Sequence, residues 1–384
     1  MVKFGIIGIG NMGTQHANNL YNGKVDGACL AAVCDIDPSR LAYVKENLPG
    51  VALFDKAEDL IENADIDVVL IAVPHYLHPV YAKLAFAKGL NVLTEKPAGV
   101  YTKAVREMNE AAKASGKVFG IMYNQRTNPV YAKVREMVKS GELGELKRFV
   151  WIITDWYRSQ SYYNSSSWRA TWSGEGGGVL LNQCPHQIDL WQWMLGMPCE
   201  IRSFMEYGKG RDIEVENDVT TYARYANGMS GVFIASTHDA PGTNRLEISA
   251  DMGKLIVEKS KITFYRNKIG EKEFNATYKA GFGQPEVEVI DIPITEKETG
   301  HVGILQNFTN AVVNGTPLLA PGEEGILGLS LSNAMHLSDW TGHAGIDPMH
   351  IDEDLFYELL SEKAKNSTFT KKTEKMNLDT EGTY

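Results

Sequence analysis

Cysteine is scarce in this 384-residue chain: Cys29, Cys34, Cys184 and Cys199 are the only four, each in or beside an apolar run and without the paired spacing of a metal clip. That excludes a disulfide scaffold and fits a reduced, cytoplasmic compartment. Positive charge is also in deficit. The formal net charge is -10, with no basic field to draw in phosphate backbones, so nucleic acid is not expected as a partner. Apolar residues at 43% and charged residues at 22% describe an ordinary globular protein, neither disordered nor membrane-spanning. The opening MVKFGIIGIGNMG meets glycines after too few apolar residues for a signal-peptide core, and reads as a first strand. Repeats and long low-complexity tracts are absent.

What is present is an alternation of apolar strands and helices. Lys3 to Gly8, Leu30 to Cys34, Val68 to Ala72, Asn91 to Thr94 and Val118 to Met122 read as strands, with helical stretches between them. Continuous apolar strands alternating with helices indicate a parallel sheet covered on both faces. After about residue 123 the pattern changes. A helix near Val130 to Ser140 leads into an alternating strand, Leu146 to Thr154, and β-rich runs follow from Glu200 to Phe264, with Asn227 and Gly228 marking a hairpin turn. The expected fold class is α/β: a Rossmann dinucleotide-binding domain over 1–122, then an α+β domain over 123–384 with a large, mainly antiparallel sheet. The terminal KNSTFTKKTEKMNLDTEGTY is expected to be a polar, mobile tail.

GIGNMG places Gly8, Gly10 and Gly13 in a G-x-G-x-x-G turn, with Asn11 and Met12 between the last two. The pattern alone is weak, but a strand precedes it, a helix follows, and Asp35 closes the second strand of the same unit. Gly8 permits the turn, Gly10 lets a pyrophosphate approach, and Gly13 lets helix and strand pack closely. Phosphates would sit on the helix N-terminus. Asp35 would bind ribose hydroxyls and repel a phosphate, which predicts NAD over NADP; Arg40 either faces solvent or greets a 2'-phosphate.

Two further stretches carry chemistry. TEKPAGVYT sets Glu95 and Lys96 at the carboxyl end of a parallel strand, stiffened by Pro97; by chemistry alone the lysine reads equally as a surface residue. LNQCPHQIDLWQWM, after SGEGGG, brings Asn182, Gln183, His186 and Asp189 together beside Trp191 and Trp193, which read as packing. His186 alone could be an acid/base, a metal ligand or a satisfied core histidine. A third ligand at convincing spacing is lacking, and His343, Asp347, His350 and Asp352 lie in loop-like sequence, so no metal is assigned. The segment ITDWYRSQSYYNSSSWRATW suits a sugar-binding wall, with Trp156, Tyr157, Arg158 and Tyr163 as candidates, or equally a hydrated loop or oligomer contact. His238 and His301 are weaker pocket candidates.

Taken in order, GIGNMG, VPHYLHPVYAKLAFAKGLNVLTEKP, NQRTNP, WRATWSGEGGG, HQID and NFTNAVVNGTPLLAPGEEG resemble the glucose-fructose oxidoreductase and inositol dehydrogenase family, Gfo/Idh/MocA. The resemblance implies hydride transfer between a nicotinamide and a sugar, cyclitol or related polyol. It implies a second domain whose sheet mediates a homodimer or homotetramer. By position, Lys96 and His186 match the lysine near the reacting carbon and the acid/base histidine. Pro74 and His78 match the segment along the cofactor, Asn124 and Arg126 the interdomain connection, and Trp168 with Arg169 the pair reaching toward cofactor and substrate. Many relatives carry an aspartate four residues before the histidine, where this chain has Asn182, an amide that brings no charge to stabilise an imidazolium.

The expected activity is therefore NAD-dependent oxidation of a secondary alcohol on a sugar, sugar derivative or inositol, with no nucleic acid or membrane as partner. His186 would take the hydroxyl proton and Lys96 would stabilise the alkoxide. Lys96, Arg126, Trp156, Tyr157, Arg158, Tyr163, Asn182, Gln183, His186 and Asp189 form the expected substrate wall. A redox-neutral variant that oxidises, eliminates an aglycone and re-reduces is the alternative; a non-catalytic dinucleotide or sugar sensor is a third.

Overall fold

The apolar runs form a sheet covered on both faces. The computed structural model describes residues 1–374. Val2–Ile7 (β1), Ala28–Cys34 (β2), Ala52–Phe54 (β3), Val68–Ile71 (β4), Asn91–Thr94 (β5) and Phe119–Ile121 (β6) pair in parallel in the order β3-β2-β1-β4-β5-β6. Between them run Asn11–Tyr21 (α1), Pro38–Asn47 (α2), Ala57–Asn63 (α3), His78–Ala87 (α4) and Thr102–Ser115 (α5). Every residue of β4 is buried, which is why it reads as an unbroken apolar run. The edge strand β3 escapes a sequence reading because it has three residues, none of them buried, and so no periodicity. Strand order reverses between β1 and β4, and the crevice at their carboxyl ends is where such sheets hold ligands.

Pro129–Ser140 (α6) leads to a second, eight-stranded sheet. Its strands are Leu146–Ile153 (β7), Glu200–Tyr207 (β8), Glu216–Arg224 (β9), Ser230–Ser236 (β10), Asn244–Ala250 (β11), Gly253–Glu258 (β12), Lys261–Asn267 (β13) and Val287–Ile292 (β14). The order is β14-β13-β12-β11-β7-β10-β9-β8, antiparallel throughout except for the parallel β7–β10 pair. Gly228 turns the β9–β10 hairpin at φ 88°, and Tyr225 N–H donates to Met229 O at 2.9 Å. Gln160–Asn164 (α7) interrupts the aromatic segment, Pro185–Leu195 (α8) carries His186, and Glu271–Thr277 (α9) lies before β14. Burial alternates along β9, as expected of a strand with one face on the core. Trp191 of α8 stacks on Phe233 of β10 with ring centroids 5.6 Å apart, the packing role expected of it.

Near residue 300 the chain returns to the first domain. Gly300–Asn314 (α10) sets Phe308 against Phe4 of β1, centroids 6.3 Å apart, and Ile121 N–H donates to Ala320 O at 3.1 Å. Gly325–Trp340 (α11) follows, then Glu353–Asn366 (α12), a helix the sequence reading passes over although Asp352 caps it by accepting from Leu355 N–H at 2.9 Å. Asp352 is thereby spent, and Asp347 holds His350 at 2.8 Å. Among the described residues no group of three or more His, Cys, Asp or Glu could hold a metal ion.

The stretch expected to be a mobile tail is tied down as far as residue 374. Lys371 Nζ donates to Tyr163 O at 2.6 Å, Glu374 N–H donates to Asn164 O at 2.9 Å, and Lys372 pairs with Asp212 at 3.1 Å. The remainder of that stretch lies outside the described residues. No helix among the described residues is long and apolar enough to cross a membrane.

The three glycines of the first turn differ in what they permit. Gly8 has φ 94°, and a Cβ on it would lie 2.4 Å from Ala72 O; a Cβ on Gly13 would lie 1.8 Å from Gly8 O; one on Gly10 would meet nothing within 4 Å. Gly13→Ala is accordingly expected to cost about 2 kcal/mol or more of stability in urea unfolding. Gly10→Ala should stay within about 0.5 kcal/mol of the parent. Equal losses at the two positions would contradict this reading of the turn.

Candidate functional site

The crevice between the two domains is assembled from the carboxyl ends of β1, β2, β4 and β5 and from the segment 155–190 of the second domain. On the first side, Gly10 is the N-cap of α1 and offers no capping side chain, so the first-turn N–H groups are left for a ligand. Asn11 is exposed there and Met12 half-buried. Asp35 lies against the turn, accepting from Ile9 N–H at 2.6 Å and from Asp37 N–H at 2.8 Å. Open space at Gly10, an uncapped helix N-terminus and a carboxylate at the end of β2 fit the pyrophosphate and ribose of a dinucleotide. Arg40 stands half-buried on α2.

At the end of β5, Glu95 is buried and bonds His16 Nε2 of α1 at 2.6 Å. Burial alone would raise its pKa, but the bond and charge of His16, with His301 and Lys96 beyond, hold it down to about 2. His301 lies ring to ring with His16 at 5.5 Å, and burial drives its own pKa down to about 4. Lys96 follows, half-buried, its Nζ donating to the backbone carbonyl of Asn182 at 2.9 Å. Burial draws its pKa below the ordinary lysine range; Glu95 and Glu175 oppose this, and Arg169 and Arg158 reinforce it.

His186 begins α8 and is buried, with Nδ1 free of any partner in the protein. Its pKa falls well below the usual imidazole range, first through burial and then through the charges of Lys96 and His301. The ring is neutral at physiological pH and can accept a proton. Asn124 at the interdomain connection is also buried with an unpartnered Oδ1.

The glycine run folds tightly because a buried carboxylate anchors it. Both oxygens of Glu216 accept from Gly178 N–H at 2.8 Å, and Oε1 also takes Leu180 N–H at 3.1 Å. A Cβ on Gly178 would lie 1.9 Å from Glu216 O. The run delivers Asn182 to a hydrogen-bond network that sequence reasoning missed. Asn182 Nδ2 donates to Glu175 Oε1, and Asn182 Oδ1 accepts from Tyr162 Oη at 3.2 Å. Tyr162 Oη in turn accepts from Arg169 Nη1 at 2.6 Å and from Gln183 Nε2 at 3.2 Å. Arg169 also lies over the rings of Tyr162 and Trp168, 4.4 and 4.9 Å from their centroids. Tyr162 sits in the aromatic segment flagged as a wall, but nothing in its spacing distinguishes it from Tyr163.

Other expected site residues have structural duties instead. Arg126 and Asp189, both expected at the substrate, form a buried bidentate ion pair: Nε to Oδ2 at 2.8 Å and Nη2 to Oδ1 at 2.7 Å. Arg126 Nη1 reaches Glu324 at 2.6 Å and Leu319 O at 3.1 Å, and Gln192 Nε2 donates to Asp189 Oδ1 at 2.9 Å. Both side chains are 1% exposed, with their polar atoms turned to one another. His78, expected along the cofactor, has Nδ1 2.7 Å from Pro97 O and Nε2 2.7 Å from Val73 O. It ties the turn that starts at Pro74 to the Lys96 turn and so positions the lysine. Tyr163 is buried, its hydroxyl bonded to Thr237 Oγ1 at 2.7 Å. Tyr157 is exposed under Arg211, 5.0 Å from its ring. Arg158 lies over Trp156 and Tyr162, 5.2 and 5.1 Å from the centroids. Trp156 itself, with Asp155, Gln125, Gln187 and Asn244, lines a cavity of about 530 Å³ beside α8, whose wall includes neither Lys96 nor His186. His238 is held by Ser236 Oγ at 2.9 Å near Asp218, in a cluster of its own.

Comparison with known proteins bears on this arrangement. Residues 2–123 match the model of an oxidoreductase family with an NAD-binding Rossmann fold, and residues 131–256 match the GFO/IDH/MocA C-terminal domain. The chain belongs to the Gfo/Idh/MocA family. Its N-terminal domain is the family's NAD-binding domain. Inositol 2-dehydrogenase of Pseudarthrobacter chlorophenolicus is 34% identical over 38% of this chain and 43% of its own length. Myo-inositol 2-dehydrogenase of Thermotoga maritima is 24% identical over 87% of this chain and 95% of its own. The chain spans about half the length of several curated relatives that it matches. Among solved structures, the WlbA dehydrogenase of Bordetella pertussis, in complex with NADH and UDP-GlcNAcA, is similar with a TM-score of 0.76 and 22% identity, over 90% of this chain and 98% of that one. At that identity the likeness concerns the fold.

Removing one partner of the Arg126–Asp189 pair leaves a buried charge short of its counter-ion. Asp189→Ala is expected to lower unfolding free energy by about 3 kcal/mol or more in urea titration. A loss under about 1 kcal/mol would show that the pair is not the clamp described here.

Proposed function

We propose that this protein is an NAD-dependent oxidoreductase that oxidises a secondary alcohol of a sugar, sugar derivative or inositol, with Lys96 and His186 at the reacting carbon. The observation that carries the reading is the pairing, within electrostatic reach, of a half-buried lysine held at 2.9 Å by Asn182 O and a buried histidine with an unpartnered ring nitrogen. The inositol dehydrogenases among its relatives and the nucleotide-sugar complex of a similar fold support the substrate class.

Bound NAD supplies the hydride acceptor. The uncapped N-terminus of α1 and Gly10 would hold its pyrophosphate, and Asp35 the adenosine ribose. The chain's task is then the hydroxyl proton. As the hydroxyl proton is withdrawn the oxygen gains negative charge, which the Lys96 ammonium offsets, and the oxygen's electron pair then forms the carbonyl as the carbinol hydrogen leaves as hydride. His186, held neutral, takes the proton, and the alcohol becomes a ketone. The two roles are complementary because the lysine's charge opposes a lasting imidazolium. Gln183, Arg169 and Trp168 offer amide, guanidinium and aromatic groups of the kind polyol recognition needs.

Purified protein incubated with NAD and a panel of free sugars, inositols and aryl glycosides, with reduced nicotinamide and released phenol followed together, tests this directly. Reduced nicotinamide should accumulate with a free polyol. Phenol release without it would replace this reading with redox-neutral glycoside cleavage. Lys96→Met is expected to lower turnover about 1,000-fold or more while NAD affinity changes less than about threefold; unchanged turnover removes the lysine from the chemistry.

The pH profile supplies a separate check. Oxidation needs neutral His186, and its pKa is depressed, so activity persists as pH falls through the ordinary imidazole value of about 6.5. The acid limb of log kcat/KM should lie below that value, and a limb above about 7 would exclude His186 as the proton acceptor.

A further inference from the structure

Glu175, in the middle of the glycine run, is a buried carboxylate that the mechanism above does not use. It is 1% exposed. Its Oε2 accepts from Ala170 N–H at 2.6 Å, where Ala170 is held at φ 57°, a conformation that non-glycine residues seldom adopt. Its Oε1 accepts from Asn182 Nδ2, and Arg169 Nη1 stands 3.9 Å away, beyond hydrogen-bond range. The anchoring of Ala170 accounts for one oxygen. The other is aimed at the residue whose backbone carbonyl holds the Lys96 ammonium.

The direction of the Asn182 hydrogen bonds follows from that one charge. A carboxylate only accepts, so Asn182 must turn its NH₂ toward Glu175 and its Oδ1 toward Tyr162. Tyr162 has a single hydroxyl proton, which goes to Asn182 Oδ1 at 3.2 Å. Its lone pairs are then left for Arg169 Nη1 at 2.6 Å and Gln183 Nε2 at 3.2 Å. We infer that Glu175 is a positioning residue for the Lys96 centre: it fixes the polarity of the Asn182–Tyr162–Arg169 chain and supplies the negative charge that Asn182 lacks.

Counting the charges around Lys96 supports this. Arg169 and Arg158 oppose the ammonium, and Glu95 and Glu175 favour it, but Glu95 is committed to His16 at 2.6 Å. Glu175 has no such partner at hydrogen-bond distance. The other charged or titratable groups around it include Glu216, which disfavours its ionisation, His75, whose Nδ1 lies 3.3 Å from its backbone carbonyl, Lys371, and Tyr163, whose own ionisation it disfavours. Burial leaves its pKa above the usual carboxylate range, so the network loses its polarity at a higher pH than an exposed glutamate would allow.

The inference rests on Lys96 being the reacting lysine, and its test has a readout that needs no turnover. Cyanate reacts with neutral amines, and peptide mass spectrometry gives the pH at which Lys96 of the full chain is half as reactive as its plateau. Glu175→Gln, which keeps the shape and removes the charge, is expected to lower that midpoint by about half a pH unit or more. Glu175→Gln with Asn182→Asp, which returns the charge one side chain nearer, should restore it. With NAD and myo-inositol as probe, kcat should fall about tenfold while KM changes less than about threefold.

A folded Glu175→Gln protein whose Lys96 midpoint does not move would overturn the inference and leave the oxidoreductase reading intact. A shifted midpoint in a protein that oxidises no polyol would do the reverse. Should Glu175→Gln fail to fold, Asn182→Ala carries the test, since it cuts the relay while Glu175 still holds Ala170. It should lower the midpoint in the same direction, and an unmoved midpoint there also overturns the inference.

Discussion

The bidentate pair between Arg126 and Asp189 fixes the part of the molecule on which the candidate site depends. Arg126 belongs to the connection out of the Rossmann domain, Asp189 to the helix that carries His186, and Glu324 to the approach to α11. Three separate elements are thereby registered on one guanidinium whose planar fork admits few alternative geometries. His186 lies three residues before Asp189, almost one helical turn away, so the clamp that holds one side chain also holds the other. The cost of burying these charges is met only while all partners stay in place, which makes the joint rigid. The cation also lies 5.4 Å from the centroids of both Tyr123 and Trp193, so it is packed as well as paired.

On that rigid joint the crevice sets an unusual concentration of basic groups. Lys96, Arg169, Arg158, His186 and His301 act on one another at low dielectric, where like charges are expensive. The protein answers in two ways. It keeps the histidines neutral by burial, and it brings Glu95 and Glu175 in from opposite sides, one from the end of β5 and one from the glycine run. Neither carboxylate bonds the lysine ammonium directly. The direct contact is a neutral backbone carbonyl, which orients the amine without quenching its charge. On the proposed mechanism, an ammonium held that way stays available to a developing alkoxide.

Much of the fold was legible because it depends on local pattern. The glycine turn, the buried run of β4 and the Asn227–Gly228 hairpin each announce themselves within a few residues. The contacts that sequence could not show have a common physical cause. Arg126 and Asp189 are 63 residues apart and Glu95 and His16 are 79 apart, so a polar residue that looks free in sequence can be fully committed in space. Sequence could place Lys96, His186 and Asn182 near one another, because strand ends and a helix start converge in this fold. It could not say that Asn182 would face a glutamate from its own glycine run, or that Tyr162 rather than Tyr163 would be the hub. The tail failed for a different reason: its polar composition suggested mobility, yet backbone and lysine bonds to α7 tie it down as far as residue 374.

The placement of charge also bears on which group holds the proton between turnovers. His186 is driven well below the imidazole range, whereas Lys96 is lowered only from a lysine's much higher starting point. In the resting crevice the positive charge therefore sits on Lys96, and an imidazolium is a transient acid that gives up its proton readily. On the proposed mechanism such an acid suits a reversible hydride transfer, since the same ring would accept a proton from an alcohol and return it to a ketone. An aspartate at position 182 would stabilise the imidazolium and slow its release. Asn182 brings no such charge, and the carboxylate that favours a charged His186 is Glu95, already bonded to His16. On the proposed mechanism the site thus favours a charged Lys96 over a lasting imidazolium at His186.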